Sequence, residues 1–120
     1  MRAICFCFFL VVLYTACAST GPKTTRSKKS ANVISVEEIA KTTAQNAYEV
    51  IQRLRPGLLI ARGMEPTVYL DNMKQGRLSS LYNIYASDIE EIKYLSPNEA
   101  TLRFGTGNIG GAFLIKTKSN

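Results

Sequence analysis

The glycine-rich stretch at 105–111, GTGNIGG, and its two flanks constrain the fold of this chain more than any other feature. Upstream, Ser96-Pro97-Asn98-Glu99 combines an N-cap serine, a proline at the first helical position and a capping-box glutamate. It predicts a short helix over 96–104, which Gly105 is well placed to end. Downstream, the apolar, β-prone residues Ala112 to Ile115 predict a final strand.

The same loop matches the G-x-G-x-x-G pattern over 105–110. That pattern holds a pyrophosphate only where a strand precedes it and a helix follows it, because the phosphate sits on the helix N-terminus. The predicted order here is the reverse, with the helix first and the strand last. We therefore interpret Gly105, Gly110 and Gly111 as residues required by backbone geometry, and we expect no nucleotide partner.

The N-terminus has the features of a targeting segment. Arg2 is followed by an apolar run up to Ala16, which is short for a membrane span because a span needs roughly 20 apolar residues. A positive start, a short apolar core and small residues at its end predict a secretory signal peptide over residues 1–16. The cysteines at positions 5 and 7 lie inside this run and would leave with it.

The run ends in Leu13-Tyr14-Thr15-Ala16-Cys17, which resembles the lipobox of bacterial lipoproteins, with Tyr14 where leucine is usual. The resemblance implies that Cys17 is lipidated and becomes the N-terminus of the mature chain. Since no acidic residue follows at 18 or 19, it also implies the outer membrane as the destination. The alternative is an ordinary cleaved signal peptide that leaves Cys17 as a free thiol. With one cysteine left, the mature chain would form no internal disulfide.

The net charge of +6 is concentrated between the signal peptide and the rest of the chain. The segment 17–32 contains Lys23, Arg26, Lys28 and Lys29 with no acidic residue, whereas basic and acidic residues nearly balance from Val33 onward. The segment also lacks large apolar residues, so it cannot form a core. We predict a flexible basic tether over 17–32 that holds a domain near a membrane, rather than a nucleic-acid-binding arm.

Residues 33–120 are predicted to form one small domain. Ser35-Val36-Glu37-Glu38 is a second capping box, and a helical run of apolar residues ends at Arg55-Pro56-Gly57. Strands are predicted over 67–70 and near 91–95, with a turn from Asp71-Asn72 through Gly76. The predicted fold class is α+β, in the broader α/β group, with short helices packed on a mixed sheet of about four short strands.

Several motifs of this region, in their order, resemble the plug domain of TonB-dependent outer-membrane receptors. They are Val33-Ile34-Ser35, Leu54-Arg55-Pro56-Gly57, Val68-Tyr69-Leu70-Asp71, Asp88 to Leu95, Ala100 to Gly105, and Gly110 to Lys118. The resemblance implies a small plug-like domain. The chain shows neither the strands of a receptor barrel after this region nor an acidic TonB-contacting box before it. We therefore expect a stand-alone plug-like domain on a lipid anchor.

Two functions follow from this resemblance. The first is a non-enzymatic protein-interaction or scaffolding module of the cell envelope, whose sheet edges could bind another envelope protein by strand addition. If those edges are covered, the domain would act only as a tether or spacer. The second is an accessory role in TonB-dependent transport, with a separately encoded outer-membrane β-barrel or TonB as the partner; it rests on fold-level analogy alone. In both, the membrane contact is the lipid anchor and the domain faces the periplasm.

An enzyme is the third class of function, and the composition disfavours it. The chain has no histidine, which removes the commonest neutral-pH general base and the commonest metal ligand. Five acidic residues are the candidate acids and bases, and we interpret the cluster at 88–91 as a helix start and a solvated face. These residues are Asp71, Asp88, Glu90, Glu91 and Glu99. We predict no catalytic, cofactor-binding or metal-binding residues.

Overall fold

The computed structural model describes residues 31–60 and 63–119, which form helices on a five-stranded sheet. The strands are β1 (Val33–Ser35), β2 (Thr67–Leu70), β3 (Met73–Gly76), β4 (Ile89–Leu95) and β5 (Ala112–Thr117). The helices are α1 (Val36–Ala40), α2 (Ala47–Leu54) and α3 (Pro97–Phe104). Short 3₁₀ turns lie at Pro56–Leu58, Leu78–Asn83 and Ala86–Asp88. No helix in these residues is both long and apolar enough to cross a membrane.

The sheet is mixed, with the order β1-β4-β5-β2-β3. β5 is central and pairs antiparallel with β4 and parallel with β2. β2 and β3 form a hairpin whose turn residues Asp71 and Asn72 have φ angles of 48° and 69°. Positive φ at both central residues is the geometry that matches the twist of a two-residue hairpin, and Asp and Asn tolerate it better than most residues.

The two faces of the sheet are covered differently. Ile92, Ile115 and Phe113 belong to the main core, which α1, α2 and the 3₁₀ turns close on one face with Val50 and Ile51 of α2. On the opposite face, α3 packs Ala100 against a smaller cluster formed by Tyr69, Leu95 and Ala112. Alternation along the strands therefore gives this sheet two apolar faces of unequal extent.

The predicted fold class is confirmed. In both predicted capping boxes the glutamate reaches back to the serine N–H, but only the Ser96 hydroxyl accepts a hydrogen bond in return, because the buried Ser35 hydroxyl has no partner among the described residues. The Glu99 carboxylate accepts from the Ser96 backbone N–H at 2.9 Å, and the Glu38 carboxylate accepts from the Ser35 N–H at 3.3 Å. The sheet has five strands rather than about four, because residues 73–76 form β3 where the sequence predicts only a turn. Met-Lys-Gln-Gly lacks the alternating apolar pattern of a strand, and it pairs because the hairpin turn folds it onto β2.

Candidate interaction surfaces

The predicted lipidation residue, Cys17, lies outside the described residues, as do the predicted signal peptide 1–16 and most of the tether 17–32. The tether's last residue, Asn32, is described, and its carbonyl accepts from the Tyr94 N–H at 2.7 Å. The five acidic candidates are spread over several elements. Within the described residues, no three His, Cys, Asp or Glu side chains come together as a metal site would require.

The glycine loop 105–111 is organised by one buried side chain, Asn108, which is 2% exposed. Its Oδ1 accepts from the Tyr69 hydroxyl at 3.0 Å, and its Nδ2 donates to the Gly105 carbonyl at 3.0 Å. Its own carbonyl accepts from the Gly111 N–H at 2.9 Å. The Tyr69 ring also stacks on Phe104 of α3, with 3.8 Å between centroids. Asn108 therefore connects the loop, β2 and the end of α3.

The glycines themselves serve backbone geometry, as predicted. Gly105 has φ 88° and ends α3. A Cβ at this position would meet no atom within 4 Å, so the positive φ, and not a lack of space, favours glycine here. A Cβ on Gly110 would lie 2.3 Å from the Met64 carbonyl oxygen, and one on Gly111 would lie 2.6 Å from that of Leu95. The loop follows a helix and precedes a strand, so it offers no helix N-terminus to a phosphate.

The β1 edge of the sheet is largely covered. Because the Asn32 carbonyl faces β4 and alternate residues face the same side, the backbone groups of Ala31, Val33 and Ser35 face outward. Arg55 Nε donates to the Ala31 carbonyl at 3.2 Å, and Glu38 accepts from the Ser35 N–H. Arg55 also forms an ion pair with Glu38 at 3.2 Å. These two side chains bind the outward backbone groups of Ala31 and Ser35, which leaves those of Val33 uncovered.

The β3 edge also presents few outward-facing backbone N–H and C=O groups. The Thr67 N–H donates to the carbonyl of Gly111, just before β5, and the Asp71 N–H donates to that of Ile115 in β5. The N–H groups of Val68 and Leu70 therefore face β3, and Lys74 presents its N–H and C=O outward. The ladder is irregular beyond Lys74, and the Gln75 carbonyl accepts from the Ser80 hydroxyl at 3.2 Å. A short, irregular edge bearing a lysine is the kind that natural sheets use to discourage pairing. Neither edge is therefore suited to extended strand addition.

An apolar groove of about 350 Å³ lies beside the glycine loop, at the end of the sheet where β4 ends. Three of its side chains, Ile60, Met64 and Ile109, expose more than half of their surface. Tyr94 lines the groove and donates its hydroxyl to the Gly110 carbonyl at 3.2 Å. The neighbour of Tyr94 in the sheet is Asn32, so the groove lies where the chain enters the domain.

A second exposed region, the tyrosine surface, consists of Tyr48, Tyr82 and Tyr85. Tyr48 and Tyr82 stack with 4.5 Å between ring centroids, and Tyr82 and Tyr85 are both more than half exposed. Tyr85 pairs with Asn46 at the start of α2 and directly precedes the turn that leads into β4. The tyrosine surface therefore lies at the start of β4 and the apolar groove at its end, and a strand of seven residues is about 20 Å long.

Polar side chains beside the tyrosine surface are held in place by one another. Glu49 accepts from the Gln45 N–H at 3.1 Å and lies 3.8 Å from Arg53, which donates to the Thr43 hydroxyl at 2.6 Å. An aromatic patch with a fixed polar border has the composition of a protein interface. Sequence reasoning missed both surfaces, because the exposure of Ile109 or Tyr85 depends on which neighbours the fold brings to it.

Comparison with known protein families identifies the fold. The model of the TonB-dependent Receptor Plug Domain matches residues 23–112, which is most of the chain. The chain belongs to the TonB-dependent receptor plug domain family. Neither the comparison with curated proteins nor that with solved structures gives a match.

Plug domains are non-catalytic parts of outer-membrane receptors, where they work with a barrel and with TonB. Family membership therefore makes this chain a module related to those receptors and supports a location in the cell envelope. The motifs expected of a plug domain have structural roles here. Arg55, from the Leu-Arg-Pro-Gly motif, covers the β1 edge, and Gly110 and Gly111 allow close packing before β5.

Proposed function

We propose that this protein is an outer-membrane lipoprotein whose plug-like domain is a non-enzymatic protein-interaction module of the cell envelope. The observation that supports it best is the tyrosine surface, which a plug-family domain presents at the end away from its predicted anchor. Tyrosine combines a large apolar ring with a polar hydroxyl and is enriched among residues that dominate binding energy. The partner is a protein of the envelope, and the anchor is a lipid on Cys17.

The interaction is tested by capture from detergent-solubilised envelope with the mature protein as bait. Tyr85→Asp is the test variant, and Leu102→Asp is the matched control, because Leu102 is an exposed apolar residue of α3 that lines neither surface. We expect a protein that the wild type and the control recover and that Tyr85→Asp loses. With that protein purified, Tyr85→Asp should weaken binding about 30-fold, the effect of a residue worth about 2 kcal/mol. Equal recovery by both variants would contradict the proposal.

The anchor is tested separately, by mass spectrometry of the mature N-terminus and by membrane fractionation. A diacyl or triacyl group on Cys17, found in the outer-membrane fraction, is the expected result. Cleavage at another position, with the protein in the soluble periplasm, would contradict the lipoprotein assignment and leave the interaction test standing.

Family membership favours a second function, an accessory role in TonB-dependent transport with an outer-membrane β-barrel as the partner. In this case the captured protein is a barrel, and loss of the gene reduces uptake of a scarce nutrient such as an iron chelate. Unchanged uptake after deletion, under conditions that make growth depend on that uptake, would reject this function. The proposal of a protein-interaction module would be unaffected by that result.

A further inference from the structure

We infer that the apolar groove is a membrane-docking site, which places its exposed side chains at the headgroup boundary of an anionic bilayer. Ile60, Met64 and Ile109 form an apolar rim around a groove of about 350 Å³, and each is more than half exposed. Aliphatic side chains at this boundary gain free energy in proportion to the apolar area that they bury. The inference rests on the proposed lipid anchor.

The position of the groove identifies the bilayer as its occupant. The Asn32 carbonyl accepts from the N–H of Tyr94, a residue that lines the groove. The Ala31 carbonyl accepts from Arg55, which lies two residues before the groove residue Gly57. The chain therefore leaves the domain toward its N-terminus beside the groove. The tyrosine surface lies at the other end, where a second copy or a soluble partner can reach it without competing with the membrane.

The length of the segment between Cys17 and the domain limits how far the domain can lie from the membrane. From Cys17 to Ala31 the chain spans fourteen residue steps, which can reach at most about 50 Å. An anchored domain is thus held at a high effective concentration near the bilayer, and weak apolar contacts are enough to orient it.

Charge complementarity favours an anionic surface. The segment contains Lys23, Arg26, Lys28 and Lys29 without an acidic residue, and each cation near an anionic leaflet adds about 1 kcal/mol of attraction. A basic segment beside an exposed apolar rim is the combination that peripheral membrane proteins use. The tether draws this end of the domain to the lipid headgroups, and the rim inserts.

The chain contains no tryptophan, so a single introduced tryptophan reports on one position. We choose Ile109→Trp for the rim and Leu102→Trp as the matched control, since both residues are exposed and apolar. Each mature protein is reconstituted into vesicles of phosphatidylethanolamine and phosphatidylglycerol, or of phosphatidylcholine alone. Circular dichroism checks that both variants fold as the wild type does.

In the anionic vesicles, we expect the emission of Ile109→Trp to shift to shorter wavelength, to be quenched by brominated acyl chains and to resist aqueous acrylamide. The emission of Leu102→Trp should stay at its value in water and remain open to acrylamide. Equal acrylamide quenching at the two positions would overturn the inference. Protection of Ile109→Trp that needs added envelope protein would also overturn it and assign the groove to a protein. If the lipid anchor is absent, the protein does not float with phosphatidylcholine vesicles. That result distinguishes failure of the anchor from failure of the docking inference.

Discussion

Asn108 is the residue on which the glycine loop depends. A buried amide is expensive unless its hydrogen bonds are made, and here Oδ1, Nδ2 and the main-chain carbonyl all have partners. In the sequence it is one asparagine among glycines, which predicts a turn residue and nothing more. Its role depends on Tyr69, a residue 39 positions away in the chain, so local pattern could not reveal it.

Asn108→Ala should lower the free energy of unfolding by about 1–3 kcal/mol, because it leaves the Tyr69 hydroxyl and the Gly105 carbonyl without their partner. Urea unfolding followed by circular dichroism measures the change. Asn98→Ala is the matched control, since Asn98 is exposed on α3, and it should change the free energy by less than about 0.5 kcal/mol. Adding Tyr69→Phe to Asn108→Ala should cost less than Tyr69→Phe alone.

Asp71 links the hairpin turn to the end of the central strand. Its Oδ2 accepts from the Thr117 hydroxyl at 2.6 Å and its Oδ1 from the Thr117 N–H at 2.9 Å. These two hydrogen bonds lower the pKa of the Asp71 carboxyl below its usual 3.8, and the bond from the hydroxyl has the larger effect. A carboxylate with a lowered pKa in the folded state stabilises the fold above its unfolded pKa, and this stability is lost as the pH falls through the folded pKa.

Asp71→Asn should therefore reduce stability at pH 7, and the difference from the wild type should shrink as the pH falls below about 4. Urea midpoints measured from pH 7 to pH 3 give the comparison. Thr117→Val removes the hydroxyl and keeps the main-chain N–H, so it should show a smaller difference with the same dependence on pH. A difference between Asp71→Asn and the wild type that is constant across this range would show that the charge does not contribute.

At the scale of elements, the loop from α3 to β5 tolerates side chains at some positions and not at others. Gly110→Ala and Gly111→Ala should each cost about 3 kcal/mol or more, since the new Cβ meets main-chain oxygens and Gly111 also has a positive φ of 82°. Gly105→Ala should cost only about 1–2 kcal/mol, because its φ is positive but the space around it is open.

Gly57→Ala is the control for this series. A Cβ at Gly57 meets nothing within 4 Å, so the free energy of unfolding should change by less than about 0.5 kcal/mol. Thermal or urea unfolding of the four variants gives the ranking. Equal costs at Gly57 and Gly110 would show that close packing of the main chain does not fix this loop.

The elements that the sequence predicted well are those with local signals. The helix after Ser96 and the one after Ser35 have capping boxes, and the strand at 67–70 has β-branched and aromatic residues that lie in the core. β3 lacks such a signal, because a short edge strand at the surface needs no apolar side chains. Likewise, nothing local shows that Arg55 covers β1, since the contact joins residues 24 apart in sequence.

At the scale of the whole molecule, the arrangement of the two exposed surfaces defines a direction. The apolar groove lies where the chain enters, and the tyrosine surface lies about 20 Å away along β4. The sequence predicts an anchor at the N-terminal end of the chain. It could not predict which surface lies near that end, because the order of strands in the sheet decides it.

The central position of β5 has a consequence for how the protein is made. The β1–β4 pair and the β2–β3 hairpin do not touch in the sheet, and only β5 joins them. Residues 112–117 follow the other four strands of the described sheet in the sequence, so neither half can complete its hydrogen bonds until β5 is present. Such long-range pairing is slow to form and cannot begin early in synthesis. A chain that is threaded through a membrane from its N-terminus would thus keep its sheet open until β5 has crossed.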